Sequence, residues 1–137
     1  MKKLKVHKTD WVQIERFLAS ADRKITSANR ILAFDDEAAL QQAYEAMLKA
    51  SLGFMFSHGV RAGSQPGHHI TIIEFVRARI DKKFVGLTTV FDRLRRKRNQ
   101  ALYDDTGFVS HHEAEQSIET ARDFLRVLRR DIASRKP

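Results

Sequence analysis

Residues 11–32 read WVQIERFLASADRKITSANRIL, and their apolar positions are Trp11, Ile14, Leu18, Ala21, Ile25, Ala28 and Leu32. The intervals run three, four, three, four, three, four. An α-helix turns once in about 3.6 residues, so this spacing lays all of those side chains along one narrow stripe. A stripe that keeps a heptad repeat packs against neighbours lying nearly parallel to it, as in an up-and-down bundle, and a coiled-coil partner fits it equally well. Thr9 is placed to cap this helix, with Asp10 at its positive end.

The same period governs the rest of the chain. Asp35-Asp36-Glu37 supplies a cap and an acidic first turn, after which Leu40, Ala43/Tyr44, Met47, Ala50/Ser51 and Phe54 predict a second helix with a wide apolar face, ending near His58-Gly59. Residues 60–67 (VRAGSQPG) are rich in glycine and contain a proline, so they read as a loop. A shorter helix follows from His68, through His69, Ile72/Ile73, Val76 and Ile80, although its β-branched start would suit a strand elsewhere. After a break over 81–86, a fourth helix begins around Leu87, runs to about Tyr103 and is stopped by Asp104-Asp105-Thr106-Gly107. Ser110 and Glu113 form a capping box that launches Ala114, Ile118, Ala121, Leu125, Leu128 and Ile132, a second strict heptad run. Arg126, Arg129 and Arg130 near its end complement the helix dipole. Nothing alternates with a period of two for long enough to make a sheet. The expected fold class is therefore all-α, an antiparallel up-and-down bundle of four long helices plus one short helix.

A chain of 137 residues predicts a single domain over 1–137, with residues 1–8 as a basic, solvated arm. That arm has the charge of a signal peptide without the apolar core that should follow. The absence of cysteine excludes disulfides and thiol chemistry and points to a cytoplasmic protein. The longest apolar runs fall well short of the roughly 20 residues that cross a bilayer, so no membrane association is expected. Twenty-five Lys and Arg against seventeen Asp and Glu give a net charge of +8, which favours polyanionic partners and equally serves solubility.

Familiar chemistry is missing. There is no P-loop and no Gly-x-Ser-x-Gly elbow. The histidines are His7, His58, the pair His68-His69 and the pair His111-His112. Neighbours on a helix diverge by about 100° and do not share an ion, so neither a metal nor a cofactor is expected. His69 lies on the apolar side of the third helix, as a core or pocket histidine would.

The fourth helix carries the sequence's oddity. Residues 93–98 (RLRRKR) place five cations in six positions, on a helix whose stripe runs Leu87, Val90/Phe91, Leu94 and Ala101/Leu102. Arg98 falls in the middle of that stripe, where packing would put a leucine. A buried charge costs several kcal/mol unless it is paired, so either a carboxylate such as Asp36 or Glu45 waits opposite, or this end of the bundle opens as an anion pocket. Asn99 and Tyr103, four apart, join Arg98 on one rim as amide, phenol and cation, and Arg93, Arg96 and Lys97 form a basic approach. Arg98 would grip a phosphate, Asn99 would order the ribose or the loop, and Tyr103 would stack on a base or donate to a phosphate oxygen.

At these residues the chain resembles the HEPN family of helical-bundle domains, often encoded beside minimal nucleotidyltransferases. The resemblance rests on Ala43-Tyr44-Glu45-Ala46-Met47-Leu48-Lys49-Ala50, Gly59-Val60-Arg61, Gly67-His68-His69, Arg95-Arg96-Lys97-Arg98-Asn99 through Tyr103-Asp104, and the closing amphipathic helix. It implies a bundle fold and a homodimer with facing pockets. It also implies, for many members, metal-independent RNA cleavage by an Arg-x(4–6)-His motif in toxin–antitoxin pairs. Here Tyr103 stands in the histidine position. An unperturbed tyrosine, with a pKa of about 10, is only about one part in a thousand ionised at pH 7, so it is a poorer general base toward a 2′-OH than histidine, while it can still act as an acid or donate to a phosphate. Three readings follow: an RNA- or nucleotide-phosphate-binding protein with ribonuclease activity weak or lost, a metal-free ribonuclease using Arg98 and Tyr103 as catalytic residues, and a non-catalytic subunit docking a nucleotidyltransferase-like partner.

Overall fold

The computed structural model describes residues 4–103 and 109–137. The order of elements is β1 (Leu4–Val6), α1 (Trp11–Ile31), α2 (Asp36–Ser57), β2 (Val60–Ala62), α3 (His68–Arg79), a 3-10 turn (Lys82–Phe84), α4 (Val85–Tyr103) and α5 (His111–Arg135). The chain is mostly helical, with four helices of 19 to 25 residues and one of 12.

The heptad stripes do what their spacing requires. Ile14, Leu18, Ala21, Ile25 and Ala28 of α1 are buried, and so are Ala114, Ile118, Ala121, Leu125, Leu128 and Ile132 of α5. Both helices pack on α2, which also touches α3 and α4 and is the axis of the fold. Its buried residues, from Ala39 through Tyr44, Met47 and Phe54 to Ser57, occupy most of its circumference, and small residues such as Ala43, Ala46, Ala50 and Gly53 let neighbours approach on several sides. The buried side chains form one cluster, with Tyr44, Phe54, Phe91 and Phe124 the largest of them.

Helix ends follow local chemistry. Asp35 caps α2 by accepting from Ala38 N at 3.0 Å, and Ser110 caps α5 by accepting from Glu113 N at 3.0 Å. The first helix departs from expectation: Asp10, not Thr9, is its cap, accepting from Val12 N and Gln13 N at 3.0 and 3.2 Å. Thr9 turns its hydroxyl instead to Phe56 O at 3.3 Å, which ties the helix entry to the end of α2.

Two further differences concern the N-terminus and the loop. Within the expected arm over 1–8 and loop over 60–67, Leu4–Val6 pairs antiparallel with Val60–Ala62 in a two-stranded ribbon, with Leu4 opposite Ala62 and Val6 opposite Val60, while 63–67 form the expected loop. Three residues per strand are too few for an alternation to show in sequence. The ribbon is continued by His7 N donating to Gly59 O at 2.9 Å, by the His7 ring stacked on Phe56 at 4.2 Å, and by His7 Nε2 lying 2.9 Å from Gln13 Oε1. Gly59, at φ +74°, makes the left-handed turn that brings the chain out of α2 into β2.

The break over 81–86 contains the 3-10 turn, whose Asp81 side chain accepts from Lys83 N at 3.0 Å. Arg77 Nε donates to Thr88 Oγ1 at 3.1 Å across it, fixing α3 against α4. The expected stop at Asp104-Asp105-Thr106-Gly107 lies outside the described residues. Among the described residues, no helix is long and apolar enough to cross a membrane.

Candidate functional site on the outer half of helix α4

The stripe of α4 is buried through Thr88, Phe91 and Leu94 and goes no further. Leu102, expected to continue it, is 58% exposed, and Tyr103 is 90% exposed. Arg98 therefore does not sit inside a core. It lies partly buried at the edge where the core ends, with its guanidinium carbon 5.7 Å from the centre of the Tyr44 ring.

Neither carboxylate suggested for Arg98 reaches it. Glu45 lies 4.0 Å from Lys24 Nζ, and Asp36 lies 2.7 Å from His111 Nδ1. Among the described residues Arg98 has no ion pair. Its neighbours differ: Arg95 Nε contacts Asp92 at 3.1 Å, Arg96 contacts the same carboxylate at 3.5 Å, and Lys97 reaches Glu113 on α5 at 3.3 Å. Arg93 and Arg96 are accessible along α4, as an approach surface requires, whereas Lys97 is partly buried and helps join α4 to α5.

Asn99 faces a cleft of about 220 Å³ between α4 and the start of α3, whose walls are Gly67, His68, His69, Ile70, Arg95 and Asn99. Tyr103 stands apart from this cleft at the outer end of α4, so the rim is an extended surface along the helix rather than a closed pocket.

The cleft is set by the fold behind it. Gly67, at φ +80°, turns the chain into α3 and supplies no side-chain cap. His69 then lies against the core, its Nδ1 2.9 Å from the Tyr44 hydroxyl, and the His68 ring stands edge-on to it at 4.5 Å. Burial pushes the Tyr44 phenol up to about 12, against the opposing pull of Arg98 and Arg95. Burial also lowers His69 below the ordinary imidazole range, helped by His68, Arg98 and Arg95. Both groups are thus held uncharged at neutral pH.

Spacing along the chain marks His69 as a core or pocket histidine but does not join it, His68 or Arg95 to the Arg98 rim. The signal present there is a glycine followed by two histidines at the mouth of a helix, which becomes informative only when α4 is laid beside it. Among the described residues, no group of three or more His, Cys, Asp or Glu side chains is arranged to hold a metal ion.

The HEPN domain model matches residues 14–131. This chain belongs to the HEPN family. The match begins within α1 and ends within α5, and so takes in α2, α3 and all of α4. No curated protein matches the chain. Among solved structures, the protein TT1696 from Thermus thermophilus is similar to this HEPN chain, with a TM-score of 0.67 over 86% of this chain and 97% of its own, at 17% identity. At that identity the likeness speaks for the fold alone.

Proposed function

We propose that this HEPN protein binds RNA, or the phosphate of a nucleotide, along the outer half of α4. In this reading Arg98 holds a phosphate, Asn99 orders the ribose, and Tyr103 stacks on a base or donates to a phosphate oxygen. Arg93 and Arg96 draw the polyanion in, while Lys97, paired with Glu113, holds α4 to α5 beneath them. The observation that carries it is Arg98 itself, a partly buried guanidinium without a carboxylate partner among the described residues, in a chain with a net charge of +8. An uncompensated cation beside low-dielectric walls attracts an anion more strongly than one in open water.

The full reading is a cytoplasmic homodimer of antiparallel up-and-down bundles, of the toxin–antitoxin type, in which metal-independent ribonuclease activity is weak or lost because Tyr103 replaces histidine. Incubation of the protein with labelled single-stranded RNA in excess chelator tests it. We expect salt-dependent binding with the RNA left largely intact, and a loss of roughly tenfold or more in affinity for Arg98→Ala, since hydrogen bonds to charged groups contribute about 1.5–3 kcal/mol. Tyr103→Phe separates its two roles, because phenylalanine stacks but cannot donate. A folded Arg98→Ala with unchanged affinity overturns the proposal, and cleavage lost in both variants replaces it with the ribonuclease reading.

A second reading is favoured by one observation. Leu102 and Tyr103, at 58% and 90% exposure, place a large apolar and a large aromatic side chain in solvent beside Arg98. A non-catalytic subunit docking a nucleotidyltransferase-like protein would cover them. Absence of RNA binding together with co-purification of such a partner, lost in Leu102→Asp, would establish that reading instead.

A further inference from the structure

The cleft between α3 and α4 lies beside the proposed rim and shares Asn99 with it. We propose that this cleft is a second phosphate subsite, taking one phosphodiester group of a bound RNA, with the Nε2–H of His69, Arg95 and the Asn99 amide as its donors. The inference rests on the RNA reading above and extends it by one phosphate along the strand.

The argument begins with a buried hydroxyl. Tyr44 is 0% exposed, and its hydroxyl has one described hydrogen-bond neighbour, His69 Nδ1 at 2.9 Å. A buried O–H left without an acceptor is costly, so Tyr44 donates and Nδ1 accepts. A neutral imidazole that accepts at Nδ1 carries its proton on Nε2. The groups around this pair are Tyr44 from α2, His68 from α3, and Arg95 and Arg98 from α4, with Asp92 behind them. Burial and the neighbouring cations keep His69 neutral, and burial keeps Tyr44 protonated. His69 is therefore locked by its environment as a donor of one N–H, not as a switching cation.

The other walls agree with an anionic ligand. Asp92 engages Arg95 through Nε at 3.1 Å, which orients the guanidinium and leaves further N–H groups of the fork for a ligand. Asn99 is exposed and offers its amide. Among the described residues no carboxylate lines the cleft, and the 40% exposed Ile70 gives an apolar lip against which a ribose can rest. A cleft of about 220 Å³ has room for a phosphate with its sugar. Because Asn99 belongs to both cleft and rim, neighbouring phosphates of one strand can occupy this subsite and Arg98 together.

The test uses the full chain and two probes. The first is the dinucleoside monophosphate UpU, whose diester stays singly charged across neutral pH, titrated into protein labelled with ¹⁵N on histidine. The second is a labelled single-stranded RNA oligomer, measured for affinity. In the free protein we expect His69 to show the Nε2–H tautomer, which disappears from the spectrum in His69→Gln and becomes mixed in Tyr44→Phe. UpU should shift the His69 signals. Asn99→Ala and Arg95→Gln, with thermal unfolding as the check on folding, should each weaken oligomer binding by roughly tenfold, as the loss of a charge-assisted hydrogen bond requires. Tyr44→Phe should weaken it less, while the α5 surface variant Arg126→Gln should leave it unchanged. An Nδ1–H tautomer in the free protein overturns the proposal. So does oligomer binding that falls with Arg98→Ala but not with Arg95→Gln, which would leave the rim reading standing alone. No binding of either probe overturns both.

Discussion

At the scale of single residues, the end of α2 carries a partly buried histidine whose proton is coupled to folding. His58 lies between Phe54 and Phe75, at ring distances of 4.7 and 5.5 Å, and its Nε2 is buried without a hydrogen-bond partner among the described residues. Burial lowers its pKa to about 4, with Arg135 adding to the effect. An unfolded histidine titrates near 6.5, so between those values the unfolded chain holds the additional proton. The stabilisation is fully present above about 6.5 and is lost as pH falls toward 4. His69, also lowered, acts in the same direction. We expect the urea midpoint to fall between about pH 7 and about pH 5.5, and to fall less in His58→Gln. Equal slopes for the two proteins would show that His58 is not held neutral by its surroundings. None of this is visible in sequence, because a histidine one residue past a helix looks the same whether two phenylalanines close over it or water does.

Whole helices are far more legible, since a stripe repeated over five or six turns leaves little choice of face. Every position of the second heptad run is buried, and the β-branched start of α3 is helical, as its period predicts. The stripe on α4 misleads at its outer end, where burial stops at Leu94 and Leu102 is left in solvent. Sequence periodicity tells which residues share a face; it does not tell how far along that face burial runs. Caps belong to this scale as well. Asp10→Ala and Ser110→Ala should each cost about 1 kcal/mol, the usual worth of an N-cap. Unfolding of each variant in urea, compared with the parent, checks this. A negligible effect at Asp10 would move the cap of α1 back to Thr9, where its spacing first placed it.

For the molecule as a whole, charge acts on folding and on binding with opposite sign. A net charge of +8 repels itself in the compact state, and added salt screens that repulsion. The same salt removes the entropic gain from counterions released by a bound polyanion. Between about 50 mM and about 200 mM salt, the melting temperature should therefore rise slightly while RNA affinity drops steeply. Affinity that ignores salt would argue against phosphate contacts. The candidate site is half legible at this scale: the basic run announces α4, but the histidines and Arg95 come together only through the packing of α3 against it. Finally, the short ribbon between Leu4–Val6 and Val60–Ala62 anchors the segment that leads through Gly67 into His68 and His69. An affinity tag fused to the N-terminus would pull on that same segment, so the choice of purification handle is itself a variable in any measurement of the cleft, and a C-terminal fusion is the cleaner reagent.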